Sequence, residues 1–292
     1  MKVLITGSEG LVGSALAPLL ERQGYEVVRF DIRRDPSEDV RSVEALRKAM
    51  QGCTGVVHLA AVSRVIWGEQ NPTLCWDTNV RGLNNALACA ELAESSPWFV
   101  FASSREVYGQ PDSLPVTEDA PYRPCNFYGY AKIEGERMVE QARQDGFRAC
   151  TVRLSNVFGS RHDHADRVVP AFARGAARGE ELRIDGADHT FDFTYVYDVA
   201  DGLARLVKFL SGGGAAPPPI HFVTGEPTTL LQLAELSIEL AGSASKIRHA
   251  PPRSYDVAHF YGSPARASEL LGWRPQTPLR VGLGRLIRDF SS

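Results

Sequence analysis

No two of the five cysteines (Cys53, Cys75, Cys89, Cys125, Cys150) form a CxxC pair, and their number is odd. That pattern excludes a disulfide framework and a structural zinc site of the usual spacing, and it suits a reducing compartment. Also missing is any apolar run near the ~20 residues that a membrane span needs. The first ten residues, MKVLITGSEG, lack the apolar centre of a signal peptide. A cytoplasmic protein with no membrane partner is therefore expected. Nor does one sign of charge prevail. A formal net charge of −3 gives no electrostatic reason for a nucleic-acid or anionic-lipid partner. No internal repeat is visible.

What is present is an ordinary globular composition, 43% hydrophobic and 23% charged over 292 residues, enough to bury a sizeable core. Short apolar runs (KVLITG, YEVVRFD, GVVHLAA, WFVFASS) alternate with segments of helical spacing, including a long one near 73–94 and another from about 128 to 145. Continuously apolar strands between amphipathic helices predict a parallel sheet covered on both faces. The expected fold class is α/β, a doubly wound parallel sheet with a smaller C-terminal α/β substrate domain. RACTVRLSNVFG reads as one further core strand, after which the elements shorten. The boundary falls at residues 1–160 and 161–292, with some later segments returning to the main sheet.

The first strand runs into GSEGLVG, placing Gly7, Gly10 and Gly13 at a strand-to-helix junction. Glycines there permit a tight turn, close approach of backbone to a pyrophosphate, and close helix packing. Asp31 ends the second strand 24 residues after Gly7. A carboxylate there binds ribose hydroxyls and repels a 2′-phosphate, which favours NAD over NADP, although Arg33 and Arg34 stand close by.

Further motifs follow in order: EDV at 38–40, HLAA at 58–61, NVRG at 79–82, SSREVYG at 103–109, YGYAK at 128–132, RLSNVFG at 153–159, DFTYVYDVA at 192–200 and LLGWRP at 270–275. Together they resemble the extended short-chain dehydrogenase/reductase family, in its nucleotide-sugar epimerase and dehydratase branch, nearly end to end. The resemblance implies NAD as cofactor and a nucleotide sugar, a UDP-sugar by preference, as substrate. It implies that Leu11 and Val12, Ile32, Asp39 and Val40, Leu59, Ala60 and Ala61, and Asn79 join Gly7, Gly10, Gly13 and Asp31 in holding the cofactor. A homodimer built on the 73–94 and 128–145 helices is implied as well.

Tyr128 and Lys132 supply the family's YxxxK. They lie one helical turn apart and share a face. An ammonium and a cationic nicotinamide near the phenol favour the phenolate, which can take a sugar hydroxyl proton as hydride leaves. Ser104 holds the Ser/Thr position beside the reacting oxygen. Asn156 and Arg253 match residues on the sugar diphosphate, while Phe191 replaces an arginine usual before DF. Arg105 and Cys125 are expected at the pocket. The RHDHAD run at 161–166 reads as a substrate loop, with no metal.

Glu106 discriminates between reactions. Oxidation of the sugar at C4 acidifies the adjacent C5–H, and a carboxylate there can remove that proton and assist loss of the C6 hydroxyl. An epimerase needs no such base. The expected activity is an NDP-sugar dehydratase in which Glu106 is catalytic, with some similarity to the UDP-N-acetylglucosamine dehydratases of the tunicamycin pathway. Alternatives are a UDP-sugar 4-epimerase, a net oxidoreductase, and a noncatalytic NAD sensor on the same fold.

Overall fold

The computed structural model describes residues 1–161, 163–253 and 257–291. Its main sheet is formed by β1 (Lys2–Thr6), β2 (Glu26–Phe30), β3 (Gly55–His58), β4 (Trp98–Ser104), β5 (Ala149–Leu154) and, from much later in the chain, β9 (Ile220–Phe222). The spatial order is β2-β1-β3-β4-β5-β9, all pairs parallel. Side-chain alternation divides its core in two. Val3 and Ile5 pack on one face with Leu16, Leu20, Leu203 and Leu206, while Leu4 faces Leu46, Leu83 and Phe99 on the other.

The helices that supply those faces are α1 (Leu11–Arg22), α2 (Val43–Met50), α5 (Gly82–Glu91), α6 (Phe127–Gln144) and α8 (Val196–Ser211). Between α2 and α5 lie two short helices, α3 (Val65–Gln70) and α4 (Pro72–Trp76). The single helix expected near 73–94 is thus divided. Asn71 caps α4 by accepting from the Leu74 N–H at 3.0 Å, and a π turn over Asp77–Arg81 separates it from α5. Such insertions re-aim side chains.

The expected strand through RLSNVFG is also two strands. β5 stays in the main sheet, the chain turns at Ser155, whose hydroxyl donates to the Asp192 carbonyl at 2.8 Å, and β6 (Asn156–Phe158) joins a second sheet. There β6 lies parallel to β8 (Thr190–Tyr195), whose other edge takes β10 (Pro227–Thr229) antiparallel. A parallel pair, β7 (Leu182–Asp185) and β11 (Ile247–Ala250), completes this smaller region. Helices α7 (Val168–Arg178), α9 (Leu230–Ala241) and α11 (Leu279–Ser291) pack around Phe172, Leu233 and Leu286. α10 (Ala265–Leu271), like α8 and β9, packs back on the main body.

Candidate active site

A single cavity of about 610 Å³ runs over the C-terminal ends of the main strands to the smaller region. Ligands of open parallel sheets bind there, where the strand order reverses between β1 and β3.

On one side stands the glycine turn. Gly7 has a φ of 71°, and a Cβ on it would meet the Ala60 nitrogen at 2.7 Å. A Cβ on Gly13 would meet the Gly7 carbonyl oxygen at 2.2 Å. Gly10 precedes α1 without any side-chain cap, so the first N–H groups of that helix stay available to an anion. Asp31 accepts from the Glu9 N–H at 2.9 Å and from the Arg33 N–H at 2.8 Å, tying the second strand to the glycine turn. Leu11, Val12, Ile32, Asp39, Val40, Leu59, Ala60 and Ala61 all line the same space. Arg34 is occupied by Glu38, and Arg33 lines the cavity.

Asn79 is placed elsewhere. It is buried behind the cavity wall, where its amide accepts from the Val62 N–H at 2.7 Å and donates to the Val62 carbonyl at 3.0 Å. The π turn aims it at that loop.

The other side of the cavity holds Ser104, Arg105, Glu106, Tyr128, Lys132, Asn156 and Arg253. Ser104 ends β4 and caps the following 3-10 turn, accepting from the Glu106 N–H at 3.2 Å. Glu106 is 6% exposed, with Oε1 2.9 Å from Arg105 Nη2 and Oε2 accepting from Asn126 Nδ2 at 2.7 Å. Asn126 also caps α6 through the Gly129 N–H at 2.8 Å, so one side chain sets the start of the helix and the position of the carboxylate. Sequence reading passed over Asn126, although asparagine ahead of a helical segment is a recognisable cap signal.

Tyr128 and Lys132 share the buried face of α6. Lys132 Nζ donates to the Ala102 carbonyl at 2.7 Å and lies 5.7 Å from the centre of the Tyr128 ring. Burial lowers the Lys132 pKa to about 8, against weaker upward pulls from Cys75 and Glu136. Burial also pushes the Tyr128 phenol up, and the Glu106 charge adds to it; the Ser104 hydroxyl and Arg167 pull the other way. The chain's own groups thus favour the neutral phenol, and the phenolate expected with both Lys132 and the cationic nicotinamide present depends on the bound cofactor.

Asn156 reaches the wall because β6 leaves the main sheet, and its Nδ2 is buried with no partner among the described residues. Arg253 also lines the cavity. Cys125 does not, for it is exposed and precedes the Asn126 cap. Within the RHDHAD run, His162 lies outside the described residues, and His164 packs edge-on against Trp67, with ring centres 4.6 Å apart. No helix among the described residues is long and apolar enough to cross a membrane.

Comparisons with known proteins agree with this geometry. A model of the NAD dependent epimerase/dehydratase family matches residues 3–218. The UDP-glucose 4-epimerase of Streptomyces lividans is 30% identical over 303 residues, covering 94% of this chain and 91% of that protein. Among solved structures, a UDP-glucose 4-epimerase from Thermotoga maritima with UDP-glucose has a TM-score of 0.91 at 27% identity, covering 99% of this chain and 98% of the other. A dTDP-glucose 4,6-dehydratase from Streptomyces venezuelae with NAD bound gives 0.88 at 25% identity, covering 99% and 96%. The glycine turn, the carboxylate of Asp31 and the cavity fit NAD, which is the cofactor. The chain belongs to the NAD dependent epimerase/dehydratase family, within the extended short-chain dehydrogenases/reductases, and is an NAD-dependent enzyme of nucleotide-sugar chemistry.

Proposed function

We propose that the enzyme is a nucleotide-diphosphate-sugar dehydratase acting on a UDP-hexose or UDP-N-acetylhexosamine. One observation carries the reading. A buried carboxylate, Glu106, is fixed between Arg105 and Asn126 in the same cavity wall that holds Tyr128. An enzyme that only turns over a 4-keto sugar and reduces it on the other face has no use for a second base there.

NAD supplies the hydride acceptor at C4 and later the hydride donor. Gly7, Gly10, Leu11, Val12 and Gly13 would hold its pyrophosphate, Asp31 and Ile32 its ribose, and Asp39, Val40 and Leu59–Ala61 its remaining surfaces. Tyr128 takes the C4 hydroxyl proton, with Ser104 on the same oxygen and Lys132 beneath it. Once C4 is a ketone, Glu106 removes the C5 proton, because the resulting charge delocalises onto the ketone oxygen. Water then leaves from C6. The unpartnered Asn156 amide and Arg253 face the sugar diphosphate.

A 4-epimerase is the second reading. It is favoured by the hydrogen bonds that already engage both Glu106 oxygens, a state that also suits a structural carboxylate. The two separate in heavy water with UDP-glucose and UDP-N-acetylglucosamine, read by mass spectrometry and proton NMR. Loss of one water, abolished in Glu106→Gln, supports the dehydratase; a methyl or a 5,6-double bond then reports whether hydride returned to C6 or C4. Inversion at C4 at unchanged mass, with no carbon-bound deuterium, overturns it.

A further inference from the structure

Arg105 is a charged group of the site whose hydrogen bonds are incomplete. Its guanidinium lies 4.6 Å from the centre of the Phe191 ring and 5.8 Å from that of Phe260, and the whole residue is 8% exposed. Nη2 holds Glu106 at 2.9 Å, yet Nη1 is buried with no hydrogen-bond partner among the described residues. Leaving a buried donor unmade is costly, more so when the group is charged. Such a group calls for an explanation in its surroundings, a bound molecule among them. Arg105 and Phe191 both line the cavity, so a molecule that fills it is the candidate partner for that arm.

The chemistry of that partner follows from the neighbouring carboxylate. Arg105 and Glu106 form a neutral pair. A resident anion on the sugar would therefore meet the Glu106 charge as well as the guanidinium, and like charges at hydrogen-bond range repel. A neutral oxygen that acquires negative charge only during reaction has no such conflict in the ground state. It is the kind of target at which a fixed donor is most effective.

We propose that Arg105 binds the departing C6 oxygen and stabilises its negative charge while the C6–O bond breaks; this rests on the dehydratase reading above. The C5–H electron pair becomes the C5=C6 bond, and the proton goes to Glu106. The C6–O pair leaves with the oxygen, and Glu106 returns its proton there to make water. Arginine cannot be the acid, because its guanidinium does not deprotonate in proteins. The aromatic faces of Phe191 and Phe260 fix the plane of the guanidinium, which lysine in its place would not reproduce.

The NAD-loaded enzyme and its Arg105→Gln, Arg105→Lys and Phe191→Leu variants would be incubated with UDP-glucose and UDP-N-acetylglucosamine in heavy water. Water loss is followed by mass, and exchange at C5 by NMR of the recovered substrate. In both Arg105 variants water loss should slow by roughly a hundredfold, while C5 exchange stays within about tenfold, so that recovered substrate gains deuterium. Phe191→Leu, which keeps the guanidinium, should shift the same ratio more weakly, and it decides the matter if the Arg105 variants do not fold. Equal loss of exchange and elimination would reduce Arg105 to a support for Glu106, and unchanged water loss would remove its role. Binding of UDP-glucuronate over UDP-glucose that disappears in Arg105→Gln would also overturn the proposal. Wild-type enzyme with neither exchange nor water loss would sink the dehydratase reading itself.

Discussion

Among the described residues two arginine–glutamate pairs lie buried, and they are built to opposite standards. Behind the cavity, Arg153 meets Glu136 through Nε at 2.9 Å and Nη2 at 2.6 Å, while Nη1 serves the Glu118 carbonyl at 2.6 Å and the Tyr108 hydroxyl. Glu136 also accepts from Ser103 and from the Tyr122 hydroxyl at 2.8 Å. At the cavity, Arg105 and Glu106 share one contact, and an arm of the guanidinium has none. A buried polar network whose members are paired fixes a structure, while one left incomplete beside a cavity leaves a partner to be supplied. The complete pair and its partners join β4, β5 and α6, and three residues of that network neighbour a reacting one. Ser103 precedes Ser104, Tyr108 closes the turn that carries Glu106, and Glu136 follows Lys132 by one helical turn.

Exchanging a single carboxylate for its amide in each pair should therefore give opposite results. Glu106→Gln should lower the rate of product formation by roughly 10²–10⁴-fold with NAD content nearly unchanged, as read from initial rates of the loaded protein. In urea titration it should show the smaller loss of unfolding midpoint of the two, because it disturbs one contact to Arg105 where Glu136→Gln disturbs several. Glu136→Gln should do the reverse in kind. Removing one partner of a buried pair costs about 3–5 kcal/mol; since the amide keeps some of the hydrogen bonds, a loss near 3 kcal/mol is expected in the same titration. A Glu136→Gln protein as stable as the wild type would erase the contrast. A third substitution, Asn79→Ala, would strip the Val62 N–H and carbonyl of their buried partner. It should cost about 1–3 kcal/mol in stability, and NAD affinity, measured on the refolded protein, should fall only as far as the Leu59–Val62 loop loosens.

These contrasts also show where the sequence is readable. The glycine turn, Asp31 and the Tyr128–Lys132 spacing are local patterns whose meaning is set within one turn or one strand, and the structure brings all of them to one cavity. The alternating strands likewise follow from short apolar runs, and the parallel order was legible from the helices between them. Arg105 is different. Its environment comes from β8, from the chain after β11 and from the turn that carries it, and no spacing within SSREVYG announces two phenylalanine faces. Glu136 reads as one more charge on a helix until Arg153 arrives from β5. Cys125 fails for a simpler reason, since nearness in sequence to Tyr128 placed it on the wrong side of the Asn126 cap. The π turn at Asp77–Arg81 re-aims the side chains it carries, and the break at Ser155 sends β6 into a second sheet. Hydrophobic periodicity cannot show that, yet those two features turn Asn79 away from the cavity and bring Asn156 into it.

The smallest expected effect links the two pairs through Lys132. Burial lowers its pKa from 10.5 to about 8, and Glu136 is one of the two groups that resist. The unfolded chain binds that proton more tightly, so the cost of burying the ammonium, on the order of 3 kcal/mol, is fully present below pH 8 and fades as pH rises toward 10.5. This one group thus makes the fold more stable with rising pH over that window. Catalysis should run the other way, because an ammonium lost above about 8 can no longer favour the Tyr128 phenolate. The alkaline limb of kcat/KM in the free enzyme should accordingly fall near pH 8. In Glu136→Gln the upward pull is gone and the limb should move to lower pH, whereas Arg105→Lys should leave it in place. The groups facing the ammonium are His58 from β3, Cys75 from α4 and Tyr128 on its own helix. Burial keeps the His58 imidazole neutral, with a pKa lowered to about 3, so neither it nor the buried thiol of Cys75 titrates in that range in a way that would imitate the shift. A limb that did not move in Glu136→Gln would mean that the complete pair supports the site through shape alone, and that its charge does not reach the reacting phenol.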